Sequence, residues 1–342
     1  MIQRIIDVHG HFIPRSFVAQ IKKNATRLNI EILEQQKGVV FNLGNNFVRR
    51  TFPELSESEQ YDKAQNRLSE IGLTDQILSI WLEIAGYHLK NEAATTLSRI
   101  YNECLGEFTK GRRGKLQLAG LATLPMQDPV SCVRELEYAL DACGLNGAMI
   151  GTNVCGKSLD DVGLESFWEA AESLGCPIFI HPANPITNER LDKYWFSNLL
   201  SYPFDTTIAA MALICGGVLD RYPKLKIVLA HGGGYLCGCI GRVNMGKSVC
   251  RLFDAEMFCS QDPLQYLGNF YFDTLVYSTE MLEYLRSVVG SSQLLIGTDF
   301  PFPVMDFSAI DSIKLSETLS SEDKNRMLHK NAVEIFSLPE TF

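Results

Sequence analysis

No stretch of this sequence stays apolar for the roughly 20 residues that a helix needs to cross a bilayer. The N-terminus lacks the basic, apolar, small-residue order of a signal peptide. Both absences lead to the expectation of a cytoplasmic protein without a membrane partner. Basic residues are in short supply: 31 Lys and Arg against 40 Asp and Glu leave a net charge of -9. A phosphate backbone rewards clustered cations, so nucleic acid is excluded as the main partner, and an anionic substrate would need a locally basic cleft. Cysteine is present at ten positions, none with CxxC spacing. Stretches such as "MALICGGVL" and "ESLGCPIFI" place it as a small reduced core residue rather than part of a disulfide framework. Proline-rich linkers, low-complexity tracts and internal repeats are also missing, which argues for a single domain over residues 1–342. Histidine is scarce, six in the whole chain, so its placement is informative.

What is there is a regular alternation. The runs "RIIDVHG", "QILSIWL", "LQLAGLA", "GAMIG", "PIFIHP", "KIVLAHGG", "FYFDTLV" and "QLLIGTDFP" read as strands, with helical patterns between them. Most are continuously apolar, as in a parallel sheet covered by helices, and eight of them predict an α/β fold of the TIM-like (β/α)8 type. "DPVSCVRELEYALDACG" and "GLESFWEAAESLG" have apolar residues at helical spacing and stop at Gly144 and Gly175. One stretch breaks the rhythm. From about residue 18 to 60 the sequence predicts a small β-rich insertion after strand 1, a hairpin or small sheet turning near Gly44 and Asn45.

In such a barrel the active site forms at the C-terminal ends of the strands. His9 and His11 end the first strand, His181 the fifth, His231 the sixth and Asp299 the eighth. Along a strand, residues i and i+2 share a face, so His9 and His11 point the same way. Taken singly, each residue suits a hydrogen-bonded core position as well as a ligand. Together, four histidines and an aspartate on one rim form the imidazole and carboxylate set that zinc and similar divalent metals accept. His88 and His329 end no strand and read as surface or capping residues.

"GRVNMGKS", Gly241 to Ser248, matches the Walker A pattern and would suggest a nucleotide-binding loop. That motif should leave a strand directly. Here "HGGGYLCGCI" intervenes, and Ile240, Val243 and Met245 are spaced as in a helix already under way.

On the motifs "DVHGHFIP", "LATLPMQDP", "IGTNV", "KYWFSNLL", "TTIAAMALICGGV", "YPKLKIVLAHGGG" and "GTDFPFP", the chain resembles the amidohydrolase superfamily, in its branch of metal-dependent nonoxidative decarboxylases. The resemblance implies that His9, His11, His181 and Asp299 bind one Zn2+, or Mn2+ or another divalent ion, with a water completing the shell. It implies that His231 is the general acid and base beside that water, and it counts Asp299 with the catalytic groups. No lysine ends strand four in "GAMIGTN", so a second, bridged metal is not expected. Arg242 matches an arginine that reaches the carboxylate in the neighbouring subunit's site, which implies a homodimer. Arg49 or Arg50 matches a second substrate-binding arginine, and Trp195 and Phe302 match aromatic positions lining the pocket. The expected substrate is a small unsaturated or aromatic carboxylic acid, a carboxymuconate semialdehyde or a hydroxybenzoate; hydrolysis or hydration on the same barrel is the alternative.

Overall fold

A computed structural model describes residues 3–35, 38–44, 46–50, 58–110 and 114–340, without the side chains of 34, 35, 38, 39, 46–50, 58–60, 62 and 162. The chain groups into two compact units. The first takes residues 1–149, 298–307 and 332–342, and the second takes 150–297 and 308–331.

In the first unit, β1 (Ile6–His11) is followed by α1 (Arg15–Leu28), β2 (Ile30–Gln35), β3 (Gly38–Leu43), β4 (Asn46–Arg50) and α2 (Ser58–Glu70). Then come β5 (Asp75–Ser79), α3 (Asn91–Lys110), β6 (Gln117–Gly120) and α4 (Pro129–Asp141). A parallel sheet runs in the order β1-β5-β6, and isolated parallel bridges Gly10–Phe300 and Ala122–Ala148 extend it at either edge. Every residue of β1 and β5 is buried, the polar Asp7, His9, His11, Asp75, Gln76 and Ser79 included. The β1–β5 register pairs Asp7 with Gln76 and then Gly10 with Leu78, so β1 carries one extra residue between them. That bulge lies at Val8 and His9 and locally re-aims the strand, which simple alternation does not anticipate.

The insertion takes the small-sheet form of the expectation, with a helix that was not expected ahead of it. That helix is α1, whose N-cap Pro14 offers no capping side chain and whose first turn holds no acid, so the usual start signals are missing. Phe17, Val18, Ile21 and Leu28 still form a buried helical stripe. Three antiparallel strands follow in the order β2-β3-β4, with Ile30 paired to Leu43 and Leu43 to Asn46. The β3–β4 turn falls at Gly44, where a φ of 57° suits glycine; Asn45 lies outside the described residues.

The second unit carries a five-stranded parallel sheet in the order β11-β10-β9-β8-β7, whose β7 (Ala148–Gly151) begins in the first unit. Its other strands are β8 (Pro177–His181), β9 (Lys226–Leu229), β10 (Phe270–Asp273) and β11 (Leu294–Leu295). Helices α5 (Glu165–Ser173), α6 (Tyr202–Cys215), α7 (Leu236–Val249), α8 (Thr279–Val289) and α9 (Ser308–Leu315) belong to the same unit. Both helices expected to stop at glycine do so, since Gly144 and Gly175 have φ of 67° and 60° after α4 and α5.

Candidate metal centre

His9 and His11 end β1, and Asp299 follows β11 after a short irregular segment that rejoins the first unit at Thr298. All three are buried. His9 Nε2 lies 3.2 Å from His11 Nε2, and Asp299 Oδ1 lies 3.4 Å from His9 Nε2 and 3.2 Å from His11 Nε2. Ligands about 2.0–2.1 Å from a tetrahedral ion are separated by about 3.3 Å, so the spacing fits a shared divalent metal. The tautomer agrees: His11 Nδ1 donates to the Ile80 carbonyl at 3.0 Å, leaving Nε2 as a lone-pair donor. Ser79 Oγ lies 3.3 Å from the same Nδ1 and donates to the Gly10 carbonyl at 2.9 Å. The end of β5 therefore orients this imidazole.

Behind these three side chains sits Asp7, which the motif reading passed over. Burial pushes its carboxyl above the usual range, against hydrogen bonds from Thr298, Gln76 and the His9 amide that lower it. Gly10, between the two histidines, is also explained. A Cβ there would come within 2.8 Å of Gln76 Nε2 and 2.9 Å of its Cδ, so the side chain that reaches Asp7 occupies the space.

Phe302 meets the His11 ring edge-on with centroids 4.9 Å apart, and Trp81 packs on Phe302 at 6.3 Å. Phe41 of β3 stands 6.5 Å from Trp81. An aromatic row thus runs from the inserted sheet to His11; Trp81 and Phe41 were not anticipated, although Trp81 lies two residues past the end of β5.

In the second unit, His181 ends β8 and His231 follows β9, their ring centroids 5.2 Å apart. The glycines after His231 have positive φ. At Gly234 a Cβ would collide with the Pro203 carbonyl, so this tight turn accepts no larger residue. Thr152, just past β7, donates to buried Asp205, in the place where a bridging lysine was judged absent. Trp195 is 52% exposed with a φ of 60°. Arg242 is exposed on α7 and has no hydrogen bond or ion pair among the described residues. Arg49 and Arg50 lie on β4, opposite Val40 and Val39, and their side chains lie outside the described residues.

The Walker-like stretch lies inside α7, so its backbone amides are helical donors rather than a phosphate cradle. Lys247 Nζ donates to the carbonyls of Gln261 at 2.6 Å and Ser260 at 3.3 Å. His88, exposed as its surface reading expects, donates to the carbonyl of Leu43 at the end of β3 at 2.7 Å.

The amidohydrolase family profile matches residues 6–338. The chain is 33% identical to the 2-amino-3-carboxymuconate-6-semialdehyde decarboxylase of Dictyostelium discoideum over 279 residues, 80% of this chain and 76% of that protein. Its structure matches that of 5-carboxyvanillate decarboxylase from Sphingomonas paucimobilis with a TM-score of 0.81, 23% identity, and coverage of 98% of this chain and 100% of that one. A dihydroxybenzoic acid decarboxylase from Polaromonas sp., solved with bound manganese and 2-nitroresorcinol, matches at a TM-score of 0.75 and 22% identity, covering 98% of this chain and 97% of that one. The chain belongs to the amidohydrolase family, and its fold is the α/β (β/α)8 barrel with the β2–β4 sheet inserted after the first strand. Within the family it stands among the metal-binding nonoxidative decarboxylases, which are carbon–carbon lyases.

Proposed function

We propose that the protein removes CO2 from a small unsaturated or aromatic carboxylic acid, a carboxymuconate semialdehyde or a hydroxybenzoate-type acid. The observation that carries the reading is the approach of His9, His11 and Asp299 within 3.4 Å of one another in a chain of this family. His181, buried at the end of β8, is assigned as the fourth ligand, and one Zn2+ or Mn2+ as the ion. Held there, a divalent ion supplies Lewis acidity and an acidified water.

The chain's own residues account for the rest. His231 delivers a proton to the carbon that bears the carboxylate, the electrons of the C–C bond return to the conjugated system, and CO2 leaves. Arg242 and either Arg49 or Arg50 hold the substrate carboxylates, because a guanidinium fork meets a carboxylate with two parallel hydrogen bonds. Trp195 and Phe302 flank the planar acid.

Arg242 belongs to the partner's site in a homodimer. Supporting this, α7 itself exposes Met245 and Val249, and the segment that follows it exposes Leu252, Phe253 and Phe258. Ten free cysteines support a cytoplasmic location, and residues 1–342 are assigned to one barrel domain.

Metal analysis of the purified protein, combined with CO2 release from carboxymuconate semialdehyde and hydroxybenzoates, tests the reading. His231→Ala is expected to keep its metal and lose at least about a hundredfold in turnover. Water addition or ring opening without CO2, or full activity in His231→Ala, would overturn it.

A further inference from the structure

We propose that Asp7 and Thr298 form a clamp, braced by Gln76 and Tyr61, that sets the affinity of the metal centre by holding its two ligand segments in register. The proposal rests on the reading of His9, His11 and Asp299 as ligands. Asp7 lies two residues before His9, and Thr298 directly precedes Asp299. Asp7 Oδ1 accepts from the His9 amide at 3.0 Å and the Thr298 amide at 3.1 Å. Asp7 Oδ2 accepts from Thr298 Oγ1 at 2.7 Å and Gln76 Nε2 at 2.8 Å. One buried carboxylate therefore ties together segments 291 residues apart in the chain.

Two backbone features show why a clamp is needed there. The β1–β5 ladder slips between Asp7 and Gly10, and within that slip the His9 amide donates to the Asp7 carboxylate. On the other segment, Asp299 has a φ of 56°, a left-handed conformation that persists only where its surroundings over-determine it. Thr298 brackets it: the hydroxyl donates to Asp7 and accepts from the Phe300 amide at 3.3 Å, while the Thr298 carbonyl accepts from the Asp306 amide at 3.1 Å.

The brace reaches beyond the sheet. Tyr61 Oη, on α2, donates to Gln76 Oε1 at 2.5 Å, fixing the amide so that its Nε2 faces Asp7. The helix that follows the inserted sheet is thereby connected to the ligands through two side chains. Tyr61, Gln76, Asp7 and Thr298 are at most 2% exposed, so water offers no substitute partner. These are positioning residues, since the hydrogen bonds described for them orient ligand segments rather than occupy the donor positions.

The test is the Zn2+ and Mn2+ affinity of the full-length chain, measured by competition with a chromophoric chelator, beside the melting temperature of the metal-stripped protein. Outer-shell partners typically tune metal affinity by about 10–100-fold. Thr298→Val is expected to lose that much and Thr298→Ser to recover most of it. Tyr61→Phe keeps its ring against Phe12 and Phe108 and should fold even where Thr298→Val does not, with a loss of several-fold. His11→Ala serves as the ligand control. If His11→Ala loses the metal while Thr298→Val and Tyr61→Phe lower only the melting temperature, the clamp is overturned and the ligand reading stands. If His11→Ala binds as tightly as the parent, both fall.

Discussion

Gly10 shows how a single residue records the packing beneath the candidate metal ligands. The "HGH" spacing is a ligand signature, yet nothing in ligation chemistry demands glycine between the two histidines. The demand comes from Gln76, whose Nε2, Cδ and Cγ would lie 2.8, 2.9 and 3.0 Å from a Cβ at this position. Gln76 cannot swing away without giving up its bonds to Asp7 and Tyr61. Gly10→Ala is therefore expected to destabilise the fold by about 1–3 kcal/mol, the usual range for an overpacked core. Urea unfolding measures this. Combining Gly10→Ala with Gln76→Ala should cost less than the sum of the single changes, because the shortened side chain vacates the contested space. Strict additivity would show that Gln76 is not what excludes a side chain.

Elements differ in how far they could be read beforehand. The parallel strands were legible because burial on both faces favours runs rich in apolar residues, and the candidate ligands stood out because they end those runs. Helix α1 was not, since it starts at Pro14 without a capping side chain or first-turn acid. The bulge in β1 and the Asp7–Thr298 contact were hidden for another reason: one is a matter of register with β5, and the other spans 291 residues. The short helix Val218–Arg221 between α6 and β9 offers an element-scale prediction. There Asp220 Oδ1 accepts from Tyr266 Oη at 2.6 Å and Ser260 Oγ at 2.7 Å, while Oδ2 accepts from the Ser260 amide at 2.7 Å. Partial burial raises the Asp220 pKa, but these hydrogen bonds and nearby Lys247 outweigh it and hold the carboxyl below its usual range. A folded pKa below the unfolded one adds stability above the unfolded value of about 3.9, and that contribution fades as pH falls through the folded value. Asp220→Asn should cost about 1 kcal/mol at pH 7, discounted for partial exposure, and the gap to the parent should narrow below about pH 4. A gap that stays constant from pH 7 to pH 3.5 in urea titrations would show that charge is not the cause.

At the scale of the whole molecule, the central fact is an acidic chain, net -9, assigned an anionic substrate. Long-range attraction cannot draw such a substrate in, so a few arginines must do so locally. Arg242 is the candidate whose surroundings are described. It stands exposed on α7 with no hydrogen bond or ion pair among the described residues, on the same helix as exposed Met245. In a two-fold dimer each site would then use its own His231 and the partner subunit's arginine. Arg242→Ala and His231→Ala should each be nearly inactive alone. Co-expressed in equal amounts, half of the dimers are mixed, and in each of these one site regains both groups while the other loses both. Activity should return to about a quarter of the parent's. An arginine acting within its own subunit predicts no recovery in the mixture, because no chain then carries both groups. A monomer in solution gives the same null result and is recognised independently by its sedimentation.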